Sequence, residues 1–244
     1  MIDLHCHFLP GIDDGAQTLD DALDLARASV AAGIKTAVMT PHVHAGRYEN
    51  TLSSIKASFK AFDRALAVND IPLEIRIGGE VRISPEIMAM VEEEEIPYLG
   101  ELDGYRILLL EFPHGHLMVG ADKLIQWLLA RRIRPLIAHP ERNKEVMRNV
   151  EKIYPFVAMG CLLQVTGASV IGQFGKPAQD CAMSLIERNW VTVVATDAHN
   201  LLHRPPNFDL AYQALVAIGG EPFARQLTEY VPAEIVRSNT FHLE

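Results

Sequence analysis

The chain has 244 residues, with 22 basic and 31 acidic side chains, so its formal net charge at pH 7 is −9. Its length fits one large α/β domain or two small ones, and its 49% apolar content is that of an ordinary globular protein. An acidic chain is a poor candidate for nucleic-acid binding, which requires clustered lysine and arginine. We therefore predict a globular protein that does not bind nucleic acid.

The N-terminus and the cysteines predict a cytoplasmic protein. The first seven residues, MIDLHCH, contain neither the basic segment nor the apolar core of a signal peptide. No stretch approaches the ~18 consecutive apolar residues needed to cross a bilayer, so we expect no membrane insertion. Cys6, Cys161 and Cys181 are an odd number of cysteines without CxxC spacing, which indicates free thiols in a reducing compartment.

Short apolar runs alternate with amphipathic segments along the chain. The predicted strands are residues 2–4, 35–39, 73–77, 105–110, 135–138, 161–165 and 191–195. The predicted helices are residues 18–33, opened by a capping box, and then 52–66, 118–130, 178–189, 209–218 and 222–229. Alternating strands and helices imply a parallel sheet covered on both faces. Seven strands predict a single α/β domain over residues 1–244, a (β/α)7 barrel one unit short of eight.

Polar side chains that can bind metal lie at or just beyond the ends of six of the predicted strands. A parallel barrel brings the carboxyl ends of its strands to one face, so we expect these side chains to converge. His5 and His7 are two apart on an extended segment and point to the same side, which leaves Cys6 facing the core. Sets of histidine and carboxylate without thiolate suit manganese, iron or zinc. The candidate ligands are His5, His7, Asp14, His42, Glu80, Glu111, His139, Asp197 and His199.

Several motifs resemble the polymerase and histidinol phosphatase (PHP) superfamily. They are HCH at 5–7, TPH at 40–42, GE at 79–80, HPER at 139–142 and TDAH at 196–199. The longer strings FLPGIDDG at 8–15, HPERN at 139–143 and DAHN at 197–200, with RPP at 204–206, resemble one branch of it. That branch is the bacterial manganese-dependent tyrosine-protein phosphatases of capsule and exopolysaccharide loci. The resemblance runs from Met1 to roughly Glu229 and implies a distorted, TIM-like barrel of the PHP type.

The resemblance also implies a cofactor, three divalent ions, with Mn²⁺ first and iron or zinc as alternatives. Arg142 and Arg204 follow ligand-bearing strands and are predicted to contact phosphate, because guanidinium matches phosphate geometry. Surface salt bridges are the alternative for these two arginines. The implied ligand sets are His5, His7, Glu80 and Asp197 for one ion, Glu80, Glu111 and His139 for a second, and Asp14, His42 and His199 for a third.

The predicted cluster favours a phosphate substrate. Three divalent ions against four carboxylates leave a net charge of about +2 at the site, which suits a phosphomonoester dianion. The hypothesis is in-line attack on phosphorus by a metal-bridging hydroxide. By resemblance, the substrate is the phosphotyrosine of a protein, and the partner is a bacterial tyrosine kinase that regulates capsular or exopolysaccharide synthesis.

Three other functions stay open, and one mechanism is excluded. A PHP phosphoesterase acting on a small phosphomonoester such as histidinol phosphate has nearly the same ligands. An exonuclease disagrees with the acidic charge, and a non-catalytic module disagrees with the intact ligand set. Cysteine-based tyrosine phosphatases are excluded, since the positions that their arginine requires hold Ile12, Gly167 and Glu187.

The remaining aromatic and histidine residues of the motif loops receive weaker predictions. Tyr48 and Phe8 either receive an aromatic leaving group or simply pack. The other loop histidines are predicted to support the ligands or to face solvent, and not to bind metal. These histidines are His44, His114, His116 and His203.

Overall fold

A computed structural model describes residues 1–239, so positions 240–244 of the predicted domain lie outside the described residues. No helix within residues 1–239 combines the length and the apolar character needed to cross a membrane. The strands are β1 Ile2–Cys6, β2 Thr36–Met39, β3 His42–Val43, β4 Glu74–Ile77, β5 Glu80–Arg82, β6 Gly100–Leu102, β7 Tyr105–Glu111, β8 Ile133–Ala138, β9 Leu162–Thr166 and β10 Val193–Ala195.

The helices lie mainly between consecutive barrel strands, as the alternation predicts. Three further segments are helical but not α-helical: two 3-10 turns, Pro140–Arg142 and Val150–Ile153, and a π-helical turn, Gln226–Tyr230. The α-helices are α1 Leu19–Ala31, α2 Leu52–Val68, α3 Ile87–Glu92, α4 Ala121–Leu129, α5 Lys144–Arg148, α6 Tyr154–Ala158, α7 Gly167–Val170, α8 Lys176–Glu187, α9 Phe208–Gly219, α10 Glu221–Arg225 and α11 Val231–Val236.

Seven strand positions form the barrel, which confirms the predicted fold. Two positions are interrupted: Thr40 and Pro41 separate β2 from β3, and Gly78 and Gly79 separate β4 from β5. Strands β1, β2 and β4 form one parallel sheet, while β3, β5, β7, β8, β9 and β10 form a second. The short β6 pairs with β7 in antiparallel orientation. Each interrupted position therefore carries the chain from the first sheet into the second.

The ring closes between the end of β10 and β1. Cys6 forms an isolated parallel bridge with Ala198, and the amide of Asp197 donates to the carbonyl of His5 over 2.7 Å. The Asp3 carboxylate reinforces this closure, accepting from the amide of Thr196 at 2.9 Å and from its hydroxyl at 2.5 Å. These contacts tie the first strand to the segment that carries Asp197.

The barrel has one core inside it and another around it. Side chains such as Leu4, Leu109 and Leu136 fill the interior, where Ile235 from α11 joins them. A larger cluster packs the outer faces of the strands against the helices. Successive residues of a strand point to opposite faces, so each strand contributes to both cores. Polar residues then occupy the carboxyl ends of the strands, beyond the interior core.

The structure corrects several predicted boundaries. β1 continues past Leu4 to Cys6, so His5 lies within the strand instead of after it; the amide of Cys6 donates to the Thr40 hydroxyl at 3.0 Å. The predicted helix 222–229 corresponds to α10 and most of the π-helical turn, and α11 follows beyond it; Pro232, near the start of α11, has no amide hydrogen to continue an α-helical pattern. The capping box at Thr18 and Asp21 is present as predicted.

The interior core predicts a large packing penalty at Leu136, which is fully buried on β8. We expect Leu136→Ala to lower the free energy of unfolding by about 2–5 kcal/mol, because it removes transfer energy and leaves a cavity. Leu202→Ala is the matched control, because this leucine is 81% exposed; its effect should stay within about 0.5 kcal/mol. Urea unfolding followed by circular dichroism measures both, and equal effects would contradict this assignment of the core.

Candidate metal centre

The carboxyl ends of the strands bring the nine predicted ligand side chains to one rim of the barrel. His5 Nε2 lies 3.1 Å from His7 Nε2 and 3.2 Å from Asp197 Oδ1. The two imidazoles therefore point to the same side, as their spacing predicts. The Sγ atom of Cys6 instead lies 3.4 Å from a backbone carbonyl in the core. Across the rim, His139 Nε2 is 2.8 Å from Glu80 Oε1.

The remaining predicted ligands complete the rim around His42. Its Nδ1 is 2.9 Å from Glu80 Oε2 and 3.9 Å from Glu111 Oε2. Its Nε2 is 3.2 Å from Asp14 Oδ1, and His199 Nε2 is 3.7 Å from the same oxygen. The nine side chains thus form one continuous cluster, which we call the rim cluster. They come from positions as distant as 5 and 199 in the chain.

Four overlapping groups of three side chains in the rim cluster offer ligand atoms within 4.8 Å of one another. This grouping differs in part from the sets implied by the family resemblance. His139, for example, joins His5 and Asp197 here, and Asp14 joins none of the groups within residues 1–239. The groups are His5, His7 and Glu80; His5, His139 and Asp197; His7, His42 and His199; and His42, Glu80 and Glu111.

Several atoms of the rim cluster are buried without a hydrogen-bond partner among residues 1–239. These atoms are Oε2 of Glu80, Oε2 of Glu111, Oδ1 of Asp197 and Nε2 of His199. Glu80 Oε2 lies close to His42 Nδ1, but without the orientation of a hydrogen bond. A buried carboxylate oxygen without a partner is costly, and a divalent cation satisfies several such atoms at once. Imidazole and carboxylate groups without thiolate therefore fit such a cation.

The carboxylates create a strongly negative local potential. Burial alone would lower the pKa of His5, but Glu80 and Asp197 outweigh it and raise that pKa to about 9. In the same way, the pKa of His42 rises to about 11 against the effect of burial, chiefly because of Glu80 and Asp14. Burial and the charge of Glu80 raise the pKa of Glu111 to about 7. The potential that favours protonated imidazoles also favours a bound cation, which competes for the same nitrogens.

Hydrogen bonds from groups other than the nine side chains of the rim cluster orient three of its imidazoles. Asp13 Oδ2 lies 2.7 Å from His7 Nδ1, and Gln164 Oε1 lies 2.9 Å from His5 Nδ1. His199 Nδ1 lies 2.9 Å from the backbone carbonyl of Asp197. In all three cases the contact occupies Nδ1 and leaves Nε2 directed into the cluster. Partners of this kind fix the ring orientation of metal-binding histidines.

The backbone is held in uncommon conformations at two of the predicted ligand positions. His139 and Asp197 have φ angles of +34° and +54°, in the left-handed region that few non-glycine residues adopt. Such conformations cluster at functional sites, where surrounding contacts maintain them. The 3-10 turn Pro140–Arg142 follows His139 directly, so this backbone turn also sets the direction of Arg142.

Arg142 and Arg204 approach the rim cluster from two loops. Arg142 Nη1 and Arg204 Nη2 both donate to Asp197 Oδ2. The side chains are only 14% and 22% exposed, and the guanidinium of Arg142 lies 4.4 Å from the centre of the Phe174 ring. Their partner is therefore a carboxylate of the rim and not a distant surface group.

Two asparagines hold the arginine loops in shape. Asn143 Oδ1 caps α5, while its Nδ2 donates to the carbonyls of Pro113 and His116 at 2.7 and 3.0 Å. Asn200 Oδ1 accepts from the amide of His203 at 2.7 Å. Both asparagines are part of the motif strings, where their hydrogen-bonding roles are not evident.

A pocket of about 100 Å³ opens over the rim cluster, and both arginines line it. Tyr48 also lines the pocket, and its ring stacks on His42 with a centroid distance of 5.3 Å and an interplanar angle of 9°. Phe8 is fully buried, so of its two predicted alternatives only packing is available to it.

The four remaining loop histidines do not belong to the groups of potential ligands within the described part of the chain. His44 and His114 line the pocket, and the His114 ring lies 6.3 Å from the His139 ring. His116 and His203 are exposed and lie outside this pocket.

Three features of the site were not predicted from the sequence: the roles of Arg82 and of Gln164, and the hydrogen bond between Asp13 and His7. Arg82 lies two residues after Glu80 on β5, and its Nε is 3.1 Å from Glu111 Oε2. The same two-residue spacing that identified the first histidine pair places Arg82 on the side of Glu80. Gln164 occupies the third position of β9, the one barrel strand for which no ligand was predicted. Strand periodicity therefore offered a signal for both residues.

Comparison with known proteins assigns the chain to a family. Residues 1–237 match the family model described as "Capsular polysaccharide synthesis, CpsB/CapC". The chain belongs to this family. Tyrosine-protein phosphatase YwqE of Bacillus subtilis is 35% identical over 229 residues, which cover 94% of this chain and 89% of that protein. Tyrosine-protein phosphatase CpsB of Streptococcus pneumoniae is 30% identical over 242 residues, covering 97% and 98%.

A solved structure agrees with the family membership. It comes from crystal structures of YwqE from Bacillus subtilis and CpsB from Streptococcus pneumoniae, described as unique metal-dependent tyrosine phosphatases. Its chain superposes with a TM-score of 0.90 at 34% sequence identity, covering 100% of this chain and 97% of the other. The barrel and the chain order of its elements are thus those of this family.

Gly15 provides a test of how tightly the loop of Asp13 and Asp14 is packed. A Cβ atom at this glycine would lie 2.0 Å from the backbone oxygen of His7. We expect Gly15→Ala to lower the free energy of unfolding by about 1–3 kcal/mol, because the loop must move away from the first strand. Gly115→Ala is the control, since its Cβ would meet nothing within 4 Å. Equal urea-unfolding curves for the two variants would disprove the close approach.

Proposed function

We propose that this chain is a metal-dependent tyrosine phosphatase that hydrolyses phosphotyrosine in proteins. The observation that carries the proposal is the rim cluster, which contains buried atoms without partners and lies below a pocket lined by the guanidinium groups of Arg142 and Arg204. Membership of the capsular polysaccharide synthesis family supports the choice of substrate, since its named relatives are tyrosine-protein phosphatases.

The proposed cofactor is a set of three divalent ions, with Mn²⁺ as the ion used in the cell and iron or zinc as alternatives. When bound, such ions polarise phosphoryl oxygens and lower the pKa of water from about 15.7 towards 7. Imidazole and carboxylate groups of the rim cluster would hold them. The proposed ligands are His5, His7, Glu80 and Asp197; Glu80, Glu111 and His139; and Asp14, His42 and His199.

The side chains around the proposed ions orient the substrate. Arg142 and Arg204 already pair with Asp197, so their position is fixed before substrate binds. Their remaining N–H groups are suited to the phosphoryl oxygens, where donors held in place need no reorganisation during the reaction. Tyr48 presents an aromatic wall for the phenol ring of the substrate.

The proposed partner is a phosphotyrosyl protein, namely a bacterial tyrosine kinase that regulates capsular or exopolysaccharide synthesis. The described role of the family in capsular polysaccharide synthesis supports this choice. We place the reaction in the cytoplasm, because Cys6, Cys161 and Cys181 are all free thiols, which suits a reducing compartment.

The decisive experiment compares a phosphotyrosyl peptide with histidinol phosphate in the presence of added Mn²⁺. We expect faster turnover of the peptide, and a loss of at least about 100-fold in His5→Ala, because the rim loses an imidazole that the proposed first ion requires. Elemental analysis should show fewer ions per chain, while circular dichroism should show a folded barrel. Faster turnover of histidinol phosphate would favour the small-substrate alternative, and normal turnover by His5→Ala would reject the metal centre.

Arg142→Ala separates substrate binding from metal binding. We expect KM for the peptide to rise by about 10- to 100-fold, since a charge-assisted contact to phosphate is lost. Arg142→Lys should recover only part of this loss, because an ammonium group cannot make the paired contact. Elemental analysis should find the wild-type metal content in both variants. Loss of metal together with the rise in KM would contradict the phosphate-binding role.

A further inference from the structure

Arg82 is the one arginine of the pocket that follows a proposed ligand on the same strand. It lies on β5, 17% exposed, with its Nε 3.1 Å from Glu111 Oε2. Arg142 and Arg204 both use a terminal nitrogen to bind Asp197, whereas among residues 1–239 the ion pair of Arg82 runs through Nε. The two terminal nitrogens of Arg82 are thus available to a ligand in the pocket.

A second, larger groove of about 440 Å³ continues from the pocket over the rim cluster. The two cavities share three side chains, those of His44, Arg82 and His114. A phosphotyrosine in the pocket must connect to the rest of its polypeptide, and this groove offers a continuous path for it. Three loops form its walls, those that follow β3, β5 and β7.

The junction between pocket and groove carries positive charge. Arg47 is exposed at the pocket wall, with its guanidinium 5.0 Å from the centre of the Tyr48 ring. We call Arg47 and Arg82 the basic mouth. The groove also contains Glu86, whose pKa is lowered by the Ser84 hydroxyl, so this carboxylate stays negatively charged in the same groove as Arg82.

A cavity of about 410 Å³ on the other side of His199 has the opposite character. It is lined by Asp21 and Asp24 together with the apolar loop residues Leu201 and Leu202. An acidic segment of a substrate would meet no arginine or lysine among the described residues that line this cavity, in contrast to the basic mouth. The protein as a whole carries a formal charge of −9, so the basic mouth is a local region of positive charge on an acidic protein.

We propose that the groove next to the metal centre binds the polypeptide that flanks phosphotyrosine, and that Arg82 and Arg47 select carboxylate side chains in it. This inference rests on the proposed function and adds a sequence preference to it. Charge complementarity of this type improves encounter and register more than it changes the chemical step. The preference therefore acts on KM and leaves kcat nearly unchanged.

The test uses three phosphotyrosyl peptides that differ only in whether glutamate, alanine or lysine flanks the phosphotyrosine. The metal-loaded wild type is compared with Arg82→Gln and Arg47→Gln. Arg131→Gln is the matched control, because it removes one positive charge from the loop that precedes β8, at the amino end of the barrel strands. Turnover of p-nitrophenyl phosphate, which has no flanking residues, reports on the metal centre alone.

We expect the wild type to show a KM about tenfold lower for the glutamate peptide than for the lysine peptide. Arg82→Gln and Arg47→Gln should each reduce this ratio by at least about threefold, while Arg131→Gln keeps it. Turnover of p-nitrophenyl phosphate and metal content should be unchanged in Arg47→Gln and Arg131→Gln, whose side chains contact no proposed metal ligand. Raising the salt concentration should reduce the ratio in the wild type, because salt screens exposed charges.

Equal KM values for the three peptides in the wild type would overturn this inference and leave the proposed function intact. So would a preference that neither Arg47→Gln nor Arg82→Gln alters. If Arg82→Gln also loses metal or activity on p-nitrophenyl phosphate, Arg47→Gln decides alone, and an unchanged ratio in that variant rejects the basic mouth. A wild type that hydrolyses none of the three peptides overturns the proposed function, and this inference with it.

Discussion

The concentration of negative charge at the carboxyl end of the barrel is the constraint on which the rest of the structure depends. Glu80, Asp197 and Glu111 are all buried, with at most 3% of their surface exposed. Burying carboxylates this close together is unfavourable unless positive groups compensate them. Imidazoles and arginines supply part of the compensation, and the proposed cations would supply partners for the buried atoms that have none. The fold must hold the carboxylates close together against their mutual repulsion.

The barrel meets this demand with hydrogen bonds that begin one step away from the rim. Asp3 fixes the segment of Asp197 to the first strand, while Asp13 and Gln164 orient His7 and His5. Each of these groups is buried and satisfies a backbone or imidazole N–H. Networks of this kind are more rigid than their individual contacts suggest, because a buried polar group that loses its partner cannot form a hydrogen bond with water instead. Their rigidity is what lets short loops present ligands at reproducible positions.

Much of this arrangement can be predicted from strand periodicity alone. Seven apolar runs, six of them followed by residues that can bind metal, require that His5, Glu80, His139 and Asp197 meet if the sheet is a closed parallel barrel. Their meeting is observed; that they bind metal stays a prediction. The fold class and the family membership are confirmed, since these depend on the order of elements over nearly the whole chain.

Other features lie beyond such reasoning. The breaks at Pro41 and at the Gly78–Gly79 pair divide two strands into pieces of two to four residues, too short to show a periodic pattern. Tertiary contacts maintain the left-handed backbone of His139 and Asp197, so this conformation cannot be predicted from local sequence preferences. Helices of four or five residues, such as α7, likewise depend on the strands that they pack against.

Cys6 has a consequence for the chemical sensitivity of the molecule. It lies between two histidines of the rim, yet its thiol is fully enclosed, and burial raises its pKa well above the ordinary value. Burial likewise raises the pKa of Cys161 and of Cys181 to about 12. The nucleophilic thiolate on which peroxide and alkylating agents act is therefore scarce in all three. Reagents that inactivate cysteine-dependent phosphatases by modifying a thiolate therefore have no exposed cysteine to react with on this barrel. The proposed chemistry does not use a thiol, so it is independent of cysteine oxidation.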